Sequence, residues 1–488
     1  MSQQQLELPK GWTKSQFDKC ISYIIGGDWG EPFKDKVQDN FVKVRVLRST
    51  ELKNWKKERG STAETRIIKK SSLDKRQLHD GNIILEISGG GTKFPVGRSV
   101  LIDNSILKNF DVPIICSNFF RKITLEEFLD PVYASNFLDY NYSTGLTIKF
   151  KKQSVNIQNL NTSGYLSSLL LPIPPLNEQK RIVSKIEELF SKIDSTKQSL
   201  ERTKLQLVQY RHSLLKSAFE GKLTEKWREQ NKDRIEPVAK LLTKILNEQN
   251  SGSEENLNIE QELPNLPESW IWSSIKTICK NHDHQRIPIN AKKRKQIQGK
   301  IPYYGASGII DYVEKPIFSG KYFLIGEDGA NLISRSTPVG FIVEGDFWVN
   351  NHAHILSTYG NIPLEFLSYY IASISLRPWI SGTAQPKLNQ ENLKKIPVPL
   401  PPMEEQEQIV SQIEQGFSLI QNSQRIVNST LQTLETMRIS VLKQAFQGKL
   451  VPQDPNDEPA EILLEQIKKE RDTLASKNRL KRSGRFRS

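Results

Sequence analysis

The strongest constraint on this chain is that one long segment is written in it twice. Residues 174–224 and 401–451 align at a fixed offset of 227 without a gap and share 23 identities in 51 positions. The first copy opens PPLNEQKRIVSKIEELFSKID and closes YRHSLLKSAFEGKLT; the second opens PPMEEQEQIVSQIEQGFSLIQ and closes MRISVLKQAFQGKLV. A weaker echo follows each copy (Glu236-Pro237 and Leu242 against Glu458-Pro459 and Leu464), and another precedes each variable block (Leu8-Pro9-Lys10-Gly11-Trp12 against Leu266-Pro267-Glu268-Ser269-Trp270). The order is therefore variable block, repeat, linker, variable block, repeat, tail, and each repeat must be one structural unit used twice.

Each repeat is predicted to be a long helix. Ile186, Ile193, Leu200, Leu207 and Leu214 recur every seven residues, as do Ile413, Ile420, Val427, Leu434 and Val441. A second row, offset by three or four, holds Ile182, Leu189, Thr196, Thr203 and Tyr210 in one copy and Ile409, Gly416, Ser423, Thr430 and Met437 in the other. Two rows at this spacing form one apolar seam, the pattern of a coiled coil. Prolines 172, 174 and 175, and 397, 399, 401 and 402, bar extension upstream. Gly221 and Gly448 read as C-terminal stops. A helix over 178–219 would run about 63 Å, more than one small domain can cover. That length, and the recurrence of the seam, favour the two copies pairing with each other over each packing on its own block. The small polar residues of the second row leave room for further helices from a partner.

Composition narrows the class. At 488 residues the chain is long enough for about three domain-sized units. Its 69 Lys and Arg against 55 Asp and Glu give a formal net charge of +14, which suits a polyanionic partner such as nucleic acid. Three cysteines without a CxxC pair exclude a disulfide scaffold and a cysteine-rich zinc module. The N-terminus MSQQQLELPKGW lacks a secretory pattern and no run approaches 18 apolar residues, so a cytoplasmic protein without membrane contact is expected.

The variable blocks mix short β-rich runs with Gly, Asn and Pro, predicting a small sheet with a few helices in each. Strands are expected at 81–88, leading into Gly89-Gly90-Gly91-Thr92-Lys93, at 322–326, leading into 327–331, and at 347–349, leading into Asn350-Asn351-His352-Ala353-His354. The stretch 247–262 reads as a polar linker. The basic tail 477–488 is expected to be mobile and to offer nonspecific phosphate contacts. Catalytic signatures are missing. No Gly-Lys pair completes a GxxxxGK[ST] loop. The Pro-Pro pairs sit at helix starts, not in an Asn/Asp-Pro-Pro-aromatic frame, and Ser88-Gly89-Gly90-Gly91 lacks a surrounding βαβ unit. The pairs His282/His284 and His352/His354 have no acidic or cysteine ligands at metal-site spacing, so no metal is expected. Nothing assembles a nucleophile, base and oxyanion site. The chain reads as a binder.

These motifs resemble the specificity subunit of type I restriction-modification systems. The resemblance rests on PIPPLNEQKRIVSKIEELF and PLPPMEEQEQIVSQIE, on LLKSAFEGKLT and VLKQAFQGKLVPQDPNDEP, and on GTAQPKLNQENLKKIPVPLPP, YYGASGIIDY, LIGEDGANL and WVNNHAHIL; the first block matches through Gly26-Gly27-Asp28-Trp29-Gly30 and GNIILEISGGG. It implies an α+β fold: two small α/β target-recognition domains separated by two long antiparallel coiled-coil helices, with a pseudo-twofold internal repeat. The implied order is recognition domain 1 (1–172), spacer helix 1 (173–224), a short helix and polar linker (225–265), recognition domain 2 (266–398), spacer helix 2 (399–450), and a C-terminal helix with basic tail (451–488). Each domain would read one half of a split site in double-stranded DNA. The helices would set the gap and dock two methylation subunits, with two restriction subunits in the full complex. The chain would catalyse nothing and hold no cofactor, while the complex would use S-adenosylmethionine, ATP and Mg. The first block departs from the pattern, with only 159–164 where the second has GTAQPKLN. A free-standing DNA-binding scaffold is the alternative from the same features, and a self-contained nuclease or methyltransferase is opposed by the missing catalytic signatures.

Base reading needs side chains that make paired hydrogen bonds in the major groove. In the second block the candidates are Ser307, Asn331, Asn350, Asn351, His352 and His354, all expected on turns, with turn capping as the structural alternative. Lys292, Lys293, Arg294 and Lys295 are candidates for phosphate contact, and Tyr303 and Tyr304 are read as core. In the first block the candidates are Arg76, Ser88, Lys93 and Arg98.

Overall fold

A computed structural model describes the chain apart from residues 1–6, 34–38, 90–93, 155–156, 250–262, 383, 463, 466–468 and 470–488. The two repeats are unbroken helices of 44 residues, Leu176–Phe219 and Met403–Phe446, each starting directly after its Pro-Pro pair. The chain divides into two compact units, residues 1–199 with 430–488 and residues 200–429. Each unit thus holds one variable block and parts of both long helices. No helix among the described residues is long and apolar enough to cross a membrane.

In the first unit, Ile21–Gly26, Phe120–Leu125, Ile83–Glu86 and Ser99–Leu101 form an antiparallel sheet. A second four-stranded sheet joins Glu31–Pro32, Glu64–Lys69, Phe41–Leu47 and Ile114–Cys116, the last pair parallel. In the second unit one six-stranded sheet takes the order Cys279–Asn281, Ala353–Thr358, Phe318–Gly326, Gly340–Val349, Gln298–Gly305, Gly308–Val313. The strands expected at 322–326 and 347–349 lie within this last sheet; of 81–88, Ile83–Glu86 is a strand of the first sheet, and Ser88 begins a separate two-residue strand, Ser88–Gly89. The region after the first long helix holds two helices, Glu225–Asn231 and Val238–Glu248, where one was expected.

Each block is fastened to the helices by the same device. Thr13–Gln16 pairs antiparallel with Leu170–Ile173, and Ile271–Ser274 pairs antiparallel with Pro397–Leu400. This two-stranded clasp delivers the chain to the helix start. There the Trp12 indole donates to Glu178 (3.0 Å), and Trp270 donates to Glu405 (2.9 Å). Gln179 and Gln406 donate to the carbonyls of Pro174 and Pro401. Phe446, closing the second helix, packs edge-on to Tyr133 and Phe137, whereas Phe219, closing the first, packs edge-on to Phe366 and Tyr370. Each helix therefore ends in the aromatic core of the block whose clasp starts the other helix. Gly221 (φ +72°) and Gly448 (φ +66°) are the left-handed stops. A Cβ at either would also strike a proline, Pro267 or Pro9, which explains why the Leu-Pro echo accompanies the repeat.

The helices run side by side in opposite directions within each unit. In the first unit Asp194 pairs with Arg438 and Lys197 with Glu435 (2.6 Å). In the second, Lys204 reaches Asn428 and a Cβ on Gly416 would strike Leu214. One number falls as the other rises, so the pairing is antiparallel. The first seam row is the covered one: Ile186, Ile193, Leu214, Ile413, Ile420, Val427 and Leu434 are buried, and Leu200, Leu207 and Val441 half-buried. Of the second row's small residues only Thr196 is exposed, whereas Gly416 is buried and Thr203, Ser423 and Thr430 are half-buried, so the room expected there is largely filled by the helix pairing; Tyr210 and Met437 of the same row are exposed. The repeat also carries a reciprocal pair that the periodicity does not reveal. Arg211 stacks over Phe417 (4.0 Å), and the equivalent Arg438 stacks over Phe190 (4.2 Å).

Candidate nucleic-acid interface

In the second unit four loops are laced together by backbone hydrogen bonds. Asn350 N donates to the Tyr304 carbonyl (3.0 Å), Glu327 N to that of His352 (2.8 Å), Leu388 N to that of Glu327 (2.7 Å) and Gly329 N to that of Pro386 (3.0 Å). These loops are the segments YYGASG, GEDGAN, NNHAH and AQPKLN, so the stretches singled out in the sequence of this block meet at one place.

A charged network lies beneath the loops. His354, fully buried, is hydrogen-bonded through Nδ1 to Asp283 Oδ2 (2.6 Å) and through Nε2 to the Leu388 carbonyl (2.7 Å). Arg286 bridges Asp283 (3.4 Å) and Glu327 (2.7 Å), and Lys387 closes on Glu327 (3.1 Å). Burial pushes the Asp283 and Glu327 carboxyls up. Hydrogen bonds from His354 and from Arg286 respectively outweigh it, and both carboxyls lie below the usual range. Asp283, Glu327 and His354 bring potential ligand atoms within 4.8 Å of one another. They do not make a convincing metal centre, because both His354 nitrogens are committed and Arg286 occupies the space between the carboxylates. The network is a fastener for the loops.

The candidates fall into two groups. Tied inward are His354, which lies on a strand and not on a turn as expected; Asn350, buried and accepting from His352 N (2.8 Å); and Asn331, which opens the short helix Asn331–Ser334 and not a turn, and accepts from Thr337 N (3.0 Å). Arg294 is also inward, bound to Asp311 (2.8 Å) and stacked on Tyr303 (5.0 Å). Tyr303 is buried core as read, and Tyr304 is half-buried. Facing outward are Ser307, Asn351, Lys292, Lys293 and Lys295, all exposed, and His352, half-exposed and paired with Asp328 (2.7 Å). Gln385 and Lys387, within GTAQPKLN and not among the candidates, are also exposed beside these loops.

In the first unit Arg98 makes a two-pronged ion pair with the fully buried Glu86 (2.9 and 2.6 Å). Arg76 donates to the Gly26 carbonyl (2.9 Å) and to Ser72. Ser72 in turn donates to Asp28 (2.5 Å), so Arg76 steadies the Gly26–Gly30 turn. A Cβ on Gly27 would strike the carbonyls of Cys116 and Ser117, which is why glycine stands there. Ser88 sits in a two-residue strand paired with Gln158 and Asn159. Lys93 lies outside the described residues.

Two α/β blocks of net positive charge, each clasped onto paired antiparallel helices, define a two-module protein whose charge suits a polyanionic partner. Residues 34–205 and 267–431 match the family described as type I restriction modification DNA specificity domain, and the chain belongs to that family. It is 25% identical over 492 residues to the type I restriction enzyme EcoKI specificity subunit of Escherichia coli, covering 95% of this chain and 96% of that one. It is 27% identical over 329 residues to the EcoDI specificity subunit of Escherichia coli, covering 63% of this chain and 70% of the relative. In fold it is similar to the HsdS subunit from Thermoanaerobacter tengcongensis, with a TM-score of 0.58 at 16% identity over 92% of this chain and all of that one.

Proposed function

We propose that this chain is the noncatalytic DNA-recognition subunit of a type I restriction-modification complex in the cytoplasm. Each block reads one half of a split site, and the paired helices fix the number of unread base pairs between the halves. The observation that carries this reading is the duplicated clasp, Trp12 on Glu178 and Trp270 on Glu405, which mounts two different blocks on one shared kind of strut. Slack between the modules would relax the gap and lower the effective concentration of the second half-site, so a stiff mount is what bipartite reading requires.

The long helices also expose large apolar side chains, Leu205, Val208, Leu419 and Ile426 among them. They suit helices of two methylation subunits, and two restriction subunits would complete the assembly. S-adenosylmethionine, ATP and Mg would be used by those partners, not held by this chain. The test is co-expression with the methylation subunit, followed by mapping of methylated adenines. A split motif with a constant gap, and two methylation subunits per chain on purification, are expected. Methylation by this chain alone, or binding without any split motif, would overturn the reading.

A further inference from the structure

The hairpin of Gln298–Gly305 and Gly308–Val313 has an unusual surface. Its outer strand is an edge of the six-stranded sheet, and it exposes Ile309 (47%), Ile310 (53%) and Tyr312 (47%). Two consecutive isoleucines on the surface are not what an alternating strand produces. The register supplies the cause: Tyr303 pairs with Asp311 and Tyr304 with Ile309, so Ile310 is the extra residue of a β-bulge. A bulge re-aims a side chain and is common beside functional sites. Ile310 lies over Gly305, where a Cβ would crowd it at 3.2 Å, and the Asn350 amide is next to the same point.

The hairpin tip joins the loop cluster already described, since a Cβ on Gly326 would meet the Ala306 carbonyl at 3.0 Å. Along the outer strand lies the helix Ala291–Gln296, fixed by Arg294 to Asp311 (2.8 Å) and started by Asn290, which accepts from Lys293 N (2.9 Å). With Arg294 turned inward, Lys292, Lys293 and Lys295 project as exposed cations with no ion-pair partner among the described residues. An apolar ribbon tip beside a row of free lysines is complementary to duplex DNA, whose major groove admits a two-stranded ribbon and offers thymine methyl groups between charged backbones. Three unpaired lysines on the helix beside that strand favour a polyanionic partner, and the regular phosphate rows flanking a groove supply one.

We infer that this hairpin enters the major groove of the half-site read by the second block, with bulged Ile310 packed on a thymine methyl and Lys292, Lys293 and Lys295 on the flanking phosphates. The inference rests on the proposed DNA-recognition function and adds to it the groove-entering element and a base contact. The test uses the full chain in complex with its methylation partner and the mapped site, with each thymine of that half-site replaced singly by deoxyuridine, which lacks only the methyl. For the unsubstituted complex, binding should weaken about fourfold at one position, the worth of one buried methyl group. Ile310→Ala should bind both DNAs alike. Replacing Lys292, Lys293 and Lys295 with Gln should weaken binding on all sequences and flatten the salt dependence by about 0.9 per lost phosphate contact. Insensitivity to every deoxyuridine, or retained sensitivity in Ile310→Ala, overturns the hairpin assignment while a defined split site leaves the recognition function standing. Loss of the methylation partner from Ile310→Ala, with DNA contacts intact, would make the ribbon a protein surface and also overturn it. Failure of the unsubstituted complex to bind any defined site would instead sink the function itself.

Discussion

Replacing the clasp carboxylates one at a time should give unequal results, although Glu178 and Glu405 occupy the same place in the repeat. Glu405 is fully buried, and its oxygens accept from Trp270 (2.9 Å), Thr224 (2.7 Å) and Arg228 (3.0 Å). Among the described residues Glu178 accepts from Trp12 alone and its buried Oε1 has no partner, since Val451 and Pro455 stand where the other clasp has Thr224 and Arg228. Glu405→Gln removes the charge that balances a largely buried guanidinium, a loss of about 3–5 kcal/mol. At about 2–4 °C per kcal/mol for a unit of this size, that is a drop of at least roughly 6 °C in Tm. Glu178→Gln keeps an oxygen for Trp12 and removes an ill-partnered charge, so its effect should stay within about 1 kcal/mol, on the stabilising side. Burial raises the Glu178 carboxyl above the usual range. Its favourable contribution is therefore present at acid pH and lost as pH rises through the raised value. The gain from Glu178→Gln should accordingly vanish at acid pH and open as pH rises past the carboxylate range. Calorimetry of both variants from about pH 3 to about pH 8, below and well above the usual carboxylate value of about 4, measures this. Equal losses from the two substitutions would refute the reasoning.

Further outcomes follow from the other contacts. Gly221→Ala and Gly448→Ala should each cost about 1–3 kcal/mol in chemical denaturation, since each places a Cβ on a left-handed residue facing a proline. Arg438→Ala should cost more than Arg211→Ala by roughly 1 kcal/mol, because Arg438 adds an ion pair with Asp194 to the same stacking on phenylalanine. Asp283→Asn should loosen the loop cluster of the second block by about 3 kcal/mol, measured by hydrogen exchange of residues 350–355. The Asp283 carboxyl is held low, so its contribution is present above the usual carboxylate range and lost as pH falls through the lowered value. The variant should lack that acid limb.

The skeleton was legible because periodicity and punctuation report on backbone. The seam from Ile186 to Leu214 and from Ile413 to Val441, the Pro-Pro starts and the Gly221 and Gly448 stops all stand as read. Side-chain roles were much less so. Arg98, Asn350 and His354 have the chemistry of base readers and Arg294 that of a phosphate contact, but their partners Glu86, His352, Asp283 and Asp311 are set by tertiary pairing that one sequence does not display. The bulge that turns Ile310 outward is likewise a matter of register between strands, invisible in either strand alone. The clasps could have been suspected from the repeated Leu-Pro and Trp preceding each block, whose spacing to the helix start differs between the two copies.

The most direct test lengthens the strut. Seven residues inserted into each helix, near Thr203 and at the facing position near Ser429, preserve the heptad seam and add about 10 Å. At about 3.4 Å per base pair, the methylated motif should keep both half-site sequences while its gap grows by about three base pairs. An unchanged gap in a folded, methylating complex would contradict the account.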